Sequence, residues 1–135
     1  MYRKQARQIT IYSFVTPFGG MLNKDNRWVR YAEAIPWDEI EKIYASKFSN
    51  RGAPAKPLRK VLGAYILKEE YNFSEARIIR EINENPYLQY FIGLNEYTDK
   101  VPVSASLIRS FSKRFTEQDK TEIERLLKEA RKSLR

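Results

Sequence analysis

Residues 73–94, FSEARIIREINENPYLQYFIGL, set a short polar-faced helix directly against a segment that holds three aromatics in five residues. Ser74 is placed to accept from the free backbone N–H groups of the next turn, which starts a helix. Ile78, Ile79 and Ile82 form its buried positions, and Glu75, Arg77, Arg80, Glu81 and Glu84 its outer face. Asn85-Pro86 restarts the chain, with Asn as cap and Pro at the first helical position of a short helix that ends at Gly93. Tyr87, Tyr90, Phe91 and Leu94 share one face of it, the usual arrangement of core aromatics.

Working outward, Leu58, Val61, Leu62, Tyr65 and Ile66 recur at helical spacing in a helix that Asn72 ends. Gly63 inside it costs about 1 kcal/mol relative to Ala, a cost explained by close approach of another helix. Before it, SNRGAPAKP at 49–57 reads as a loop. Asp25 or Asn26 caps a short helix through Ala34. Pro36 starts another, with Asp38 and Glu39 where the N-terminal dipole favours anions and Trp37, Ile40, Tyr44 and Phe48 as its buried stripe. Residues 1–24 are aromatic-rich but irregular, broken by Pro17, Gly19 and Gly20, and read as an arm with room for one short strand. Downstream, the loop NEYTDKVP leads to a helix opened by Ser104, with Leu107, Ile108, Phe111 and Phe115 inward. Thr116 caps the last helix, whose stripe is Ile123, Leu126, Leu127, Ala130 and Leu134. The expected fold is all-α, a compact bundle of about six or seven short helices containing an expanded helix-turn-helix. Its parts are an arm at 1–24, a helical domain at 25–116 and a C-terminal amphipathic helix at 117–135.

Composition removes most enzyme chemistry. A chain of 135 residues, 42% apolar, supports one hydrophobic core. No apolar run approaches the roughly 18 residues of a membrane span, and MYRKQARQIT lacks a signal-peptide pattern, so no membrane partner and a cytosolic location are expected. Zero Cys and zero His remove thiolate sites, the commonest zinc ligand and the commonest general base. The acid pairs Asp38/Glu39, Glu69/Glu70, Glu81/Glu84 and Glu122/Glu124 alternate with Lys and Arg at helical spacing, the pattern of an ion-paired surface, and no catalytic residue is assigned. No phosphate-cradling glycine loop is present, and nothing suggests a small-molecule substrate.

The formal charge of +8 is uneven. Residues 1–30 carry six Lys/Arg against one acid and residues 103–135 nine against five, while 31–102 hold ten against eleven. Such ends suit a partner with repeating negative charge. In SASLIRSFSKRF, 104–115, burial of the apolar face leaves Ser106, Arg109, Ser110 and Lys113 on one outward stripe, with Arg114 beside it. Arg can fork onto guanine, and Ser can approach a base or a phosphate, so these four are candidates for base readout in a double helix. An ordinary amphipathic surface helix would show the same spacing. A second cluster, Arg51, Lys56, Arg59, Lys60 and Lys68, runs for eighteen residues without an acid. Arg59 and Lys60 oppose the dipole of the helix they start, which a nearby phosphate would relieve, so Lys56, Arg59, Lys60 and Arg114 are candidate phosphate contacts. In this scheme helix 74–84 supports, helix 104–114 reads, and NPYLQYFIGL is a packed insertion between them. A rival role is a homodimer through the apolar stripe of the last helix.

Three blocks carry a family likeness: NRWVRYAEAIPWDEIEKIYASKF, GAPAKPLRKVLGAYILKEEYNFSEARIIREINENPYLQYFIGL and SLIRSFSKRF. In order and spacing the chain resembles the N-terminal domain of bacterial insertion-sequence DDE transposases, the InsH-like group. The resemblance implies an all-helical, helix-turn-helix-like unit that binds the terminal inverted repeats of a mobile element as double-stranded DNA in the bacterial cytoplasm, at the nucleoid. It also implies a separate ribonuclease-H-like domain carrying the Asp-Asp-Glu triad and its two divalent metal ions, absent from this sequence, so that no cofactor is expected here. A transposase-derived transcriptional repressor would share the same DNA chemistry. The family's last motif usually reads F-R-K-R, where this chain has Phe111-Ser112-Lys113-Arg114, one cation fewer for gripping phosphate.

Overall fold

The carboxamide oxygen of Asn26 accepts from the N–H groups of Trp28 at 2.8 Å and Val29 at 3.4 Å, which caps the first helix, α1 (Arg27–Ala34). The computed structural model describes residues 2, 9–16, 20–48 and 56–134. After α1 come α2 (Trp37–Ala45), α3 (Leu58–Tyr71), α4 (Glu75–Asn83), α5 (Pro86–Phe91) and α6 (Ala105–Ser110). A 3-10 turn, Phe111–Arg114, and α7 (Glu117–Lys132) complete an all-α bundle. Among the described residues there is no β-strand, only an isolated parallel bridge between Val15 and Glu96. Asn72, at φ 56°, stops α3 in the left-handed region that Asn tolerates better than most residues.

The aromatic segment α5 is the hub of the core. Phe91 is fully buried, with ring centroids of Trp28 at 5.3 Å, Tyr31 at 5.6 Å and Trp37 at 5.8 Å around it. Tyr90 is buried as well, while Tyr87 is half-buried and its hydroxyl accepts from the Asn23 N–H at 2.9 Å. The aromatics of residues 87–91 thus join α1, α2 and the N-terminal segment to the rest. Gly63 serves the close approach expected of it, because a Cβ there would lie 3.1 Å from Ile92 Cα, just past the end of α5.

The stretch read as an arm is, over its described residues, part of the folded unit. Ile11, Phe14 and Leu22 are buried in the common core, and Phe14 lies edge-on to Tyr90 at 6.3 Å. The Val15 N–H donates to the Asn95 carbonyl and the Tyr97 N–H to the Val15 carbonyl, each at 2.9 Å. At residue 2 the Tyr hydroxyl accepts from the Leu58 N–H at 3.1 Å and donates to the Glu41 carboxylate. An irregular segment shows no periodicity, so its burial depends on distant backbone partners that a local pattern does not reveal. Pro17, Gly19, Arg51 and residues 49–55 lie outside the described residues.

The apolar stripe of α7 also faces this chain. Ile123, Leu126, Leu127 and Ala130 are buried, and Leu134 is half-buried. Arg131 lies over the Tyr31 ring at 5.6 Å and 3.7 Å from Glu70, Lys47 pairs with Asp119 at 2.5 Å, and Arg30 donates to the Leu134 carbonyl at 3.1 Å. The surface needed for a homodimer through the C-terminal helix is therefore covered within the monomer. The stripe is the same in either case, and sequence spacing does not say what it packs on.

Candidate nucleic-acid interface

Two layers of contacts position α6. Beneath it, Ile108 and Phe111 are buried, and the Phe111 ring packs on Tyr44 at 5.6 Å, Tyr65 at 5.7 Å and Phe115 at 5.1 Å. Leu107, expected inward, is only half-buried. Before it, buried Gln89 fastens the preceding loop: its amide donates to the carbonyls of Ile82 at 2.9 Å and Thr98 at 2.7 Å, and its oxygen accepts from the Thr98 N–H at 2.9 Å. Asn83 adds to this hold, its side chain accepting from the Val101 N–H at 2.8 Å and its carbonyl from the Tyr97 hydroxyl at 3.0 Å. α6 therefore leaves a fixed loop and packs against α3 and α4.

Ser104 caps α6 by accepting from the Leu107 N–H at 3.2 Å. The helix is shorter than expected, since at Phe111 it tightens into the 3-10 turn that carries Lys113 and Arg114. Even so, Ser106, Arg109, Ser110 and Lys113 are all exposed, opposite the buried Ile108 and Phe111. Ser106 Oγ lies 3.1 Å from Ser104 Oγ, and Ser110 Oγ donates to the Leu107 carbonyl at 3.4 Å. Arg114 is exposed, its guanidinium 4.3 Å from the centre of the Phe48 ring, a cation–π contact that holds the charge at the surface. Arg109 Nε forms an ion pair with Glu75 Oε1 at 3.5 Å, from the first residue of α4. Sequence reading assigned Glu75 only to a solvent-facing side; its place beside Arg109 arises from helix packing.

The second cluster divides. Lys56 is exposed and Lys60 half-buried, and burial first, then the neighbouring Lys56 charge, lowers the ammonium pKa of Lys60. Two crowded cations are a favourable setting for an anion. Arg59 is different. Its Nε donates to the Phe91 carbonyl at 2.9 Å and its Nη2 to the Tyr90 carbonyl at 2.8 Å, and the guanidinium lies between the rings of Trp37 at 5.0 Å and Tyr90 at 5.2 Å. Read from the sequence as a candidate phosphate contact, this side chain caps the C-terminus of α5. Burial lowers its pKa, while Tyr90 favours its charged form.

The acid pairs sit among cations. Glu81 lies 3.9 Å from Arg77, Glu69 3.5 Å from Lys68, and Glu122 2.5 Å from Arg125. Among the described residues no group of three or more His, Cys, Asp or Glu is placed to hold a metal ion. Among the same residues no helix is long and apolar enough to cross a membrane.

Comparison with known proteins adds a family. The family model described as "Transposase domain (DUF772)" matches residues 17–114. A Rhizobium meliloti protein described as "Uncharacterized protein ORF8 in nfe locus" is 30% identical over 108 residues, covering 80% of this chain and 51% of its own length. The chain thus spans about half the length of this curated relative. No solved structure matches the chain.

Proposed function

Because the chain belongs to the transposase domain (DUF772) family, we propose that it is the non-catalytic, DNA-binding part of an InsH-like transposase and recognises the terminal inverted repeats of an insertion sequence. One observation carries the reading: Ser106, Arg109, Ser110 and Lys113 are exposed together along α6 and the turn that follows it, on an element braced from beneath by buried aromatics. In the complex α6 lies in the major groove of duplex DNA. Arg109 forks onto the O6 and N7 of a guanine, and Ser106, Ser110 and Lys113 contact neighbouring base edges. Arg114, Lys56 and Lys60 neutralise phosphates and set the register. The metal-dependent strand chemistry belongs to a separate catalytic part of the transposase.

Selection of bound duplexes from a random library tests this reading. Enrichment of a single site family is expected. Log affinity should fall with log salt with a slope between about −3 and −5, from three phosphate contacts and two further cations in the groove. Recovery of a random pool, or a complex insensitive to salt, overturns it.

A further inference from the structure

We infer that Glu75 is a positioning residue that sets the specificity of this DNA-binding face through Arg109; the inference rests on the function proposed above. Glu75 opens α4 and reaches across to α6, where Oε1 lies 3.5 Å from Arg109 Nε. Of the two side chains Glu75 is the more enclosed, 24% exposed against 61% for Arg109, so the carboxylate is the fixed member and the guanidinium the mobile one. The pair is made at Nε, the base of the fork, and a carboxylate held there narrows the rotamers through which the two terminal amino groups can reach outward.

The same charge acts on the ligand. On an arbitrary duplex the most favourable partner for a loose Arg109 is the nearest phosphate, and Glu75 opposes this twice, by holding the guanidinium and by repelling the phosphate. A guanine edge carries no net charge, so it gains the arginine fork without that repulsion. Glu75 therefore penalises indiscriminate binding more than recognition of the right site. Its position in the first turn of α4 also suits the helix dipole, a local effect that does not depend on Arg109.

The test uses Glu75→Gln, which keeps the shape and removes the charge, on the selected duplex and on a scrambled one, in both the wild-type and the Arg109→Ala backgrounds. Binding to the scrambled duplex should tighten about five- to tenfold, with its salt slope steeper by about 0.9, while the selected duplex changes less than about twofold. In the Arg109→Ala background only the direct repulsion of phosphate is relieved, so the effect on the scrambled duplex should shrink to less than about twofold. Equal changes on both duplexes, no change on either, or the same effect without Arg109 overturns the inference while leaving the proposed function standing. A wild-type protein that does not discriminate between the duplexes overturns both.

Discussion

Arg59 Nη2 donates to the carbonyl of Tyr90 at 2.8 Å, and through this bond a cation at the start of α3 completes the end of α5. At its own helix N-terminus the charge is unfavourable, yet the last carbonyls of α5 carry the negative end of that helix's dipole, and the Tyr90 carbonyl, which also accepts from the Gly93 N–H at 2.9 Å, has a second lone pair to offer. The contact resolves a local contradiction in the sequence without any bound anion. Gly93, at φ 85°, makes room for it, since a Cβ there would lie 3.0 Å from Arg59 Cδ.

Replacing Arg59 by Ala should lower stability by roughly 2–4 kcal/mol, because buried carbonyls lose charge-assisted bonds. Urea unfolding measures the loss, and the salt slope of DNA binding should stay unchanged. Lys60→Ala should do the reverse, leaving stability nearly intact and making the slope shallower by about 0.9.

Gly63→Ala should cost about 1–3 kcal/mol, although Ala is the better helix former. The nearest atoms are Ile92 Cα and Cγ2, each 3.1 Å from the added methyl, and a backbone atom cannot rotate away. A raised melting temperature would mean that α3 and Ile92 separate easily.

α7 carries the acid-sensitive attachment. Thr116 and Asp119 form a capping box, the Asp119 N–H donating to Thr116 Oγ1 at 3.1 Å and the Thr116 N–H to the Asp119 carboxylate at 3.0 Å. The bond from Lys47 first, then that from the Thr116 backbone, holds the Asp119 carboxyl below its usual pKa. A depressed folded-state pKa stabilises above the unfolded value and loses that contribution as pH falls through the folded one. As pH falls below about 4, the ordinary aspartate range, the wild type should therefore lose more stability than Asp119→Asn, as read from denaturant midpoints along a pH series.

Leu126→Ala should destabilise by about 2–5 kcal/mol through the cavity it leaves in the buried stripe of α7. Both wild-type and variant melting temperatures should be independent of protein concentration, as an intramolecular contact requires. A concentration-dependent transition would show instead that the helix packs on a second copy.

Arg109→Ala and Lys113→Ala separate the two kinds of contact. The first should cost about 1–3 kcal/mol on the selected duplex and relax preference at one position. Loss of Lys113 should affect a neighbouring base step. If instead it weakens all duplexes alike and reduces the salt slope by about 0.9, Lys113 contacts a phosphate. Binding to panels of single-base variants distinguishes these outcomes.

What the sequence by itself determined is the set of helices and the faces they bury. Caps at Ser74, Asn85, Ser104 and Thr116 all hold their helix N-termini, as does Asn26, one of the two caps the sequence offers for α1, and the apolar spacing of α3, α4 and α7 picks out most of their buried positions. These signals lie within a few residues of what they govern. Only the tertiary structure decided which face meets which. Ile11, Phe14 and Leu22 reach the core from a segment without periodicity, the stripe of α7 folds back on its own chain, and of two adjacent cations Arg59 turns inward while Lys60 stays half-exposed. It also brings Glu75 to Arg109, which lies 34 positions further along the chain. Local patterns encode propensity and amphipathicity, but contacts between distant residues depend on how the helices pack, and that is where the candidate interface acquires its charges.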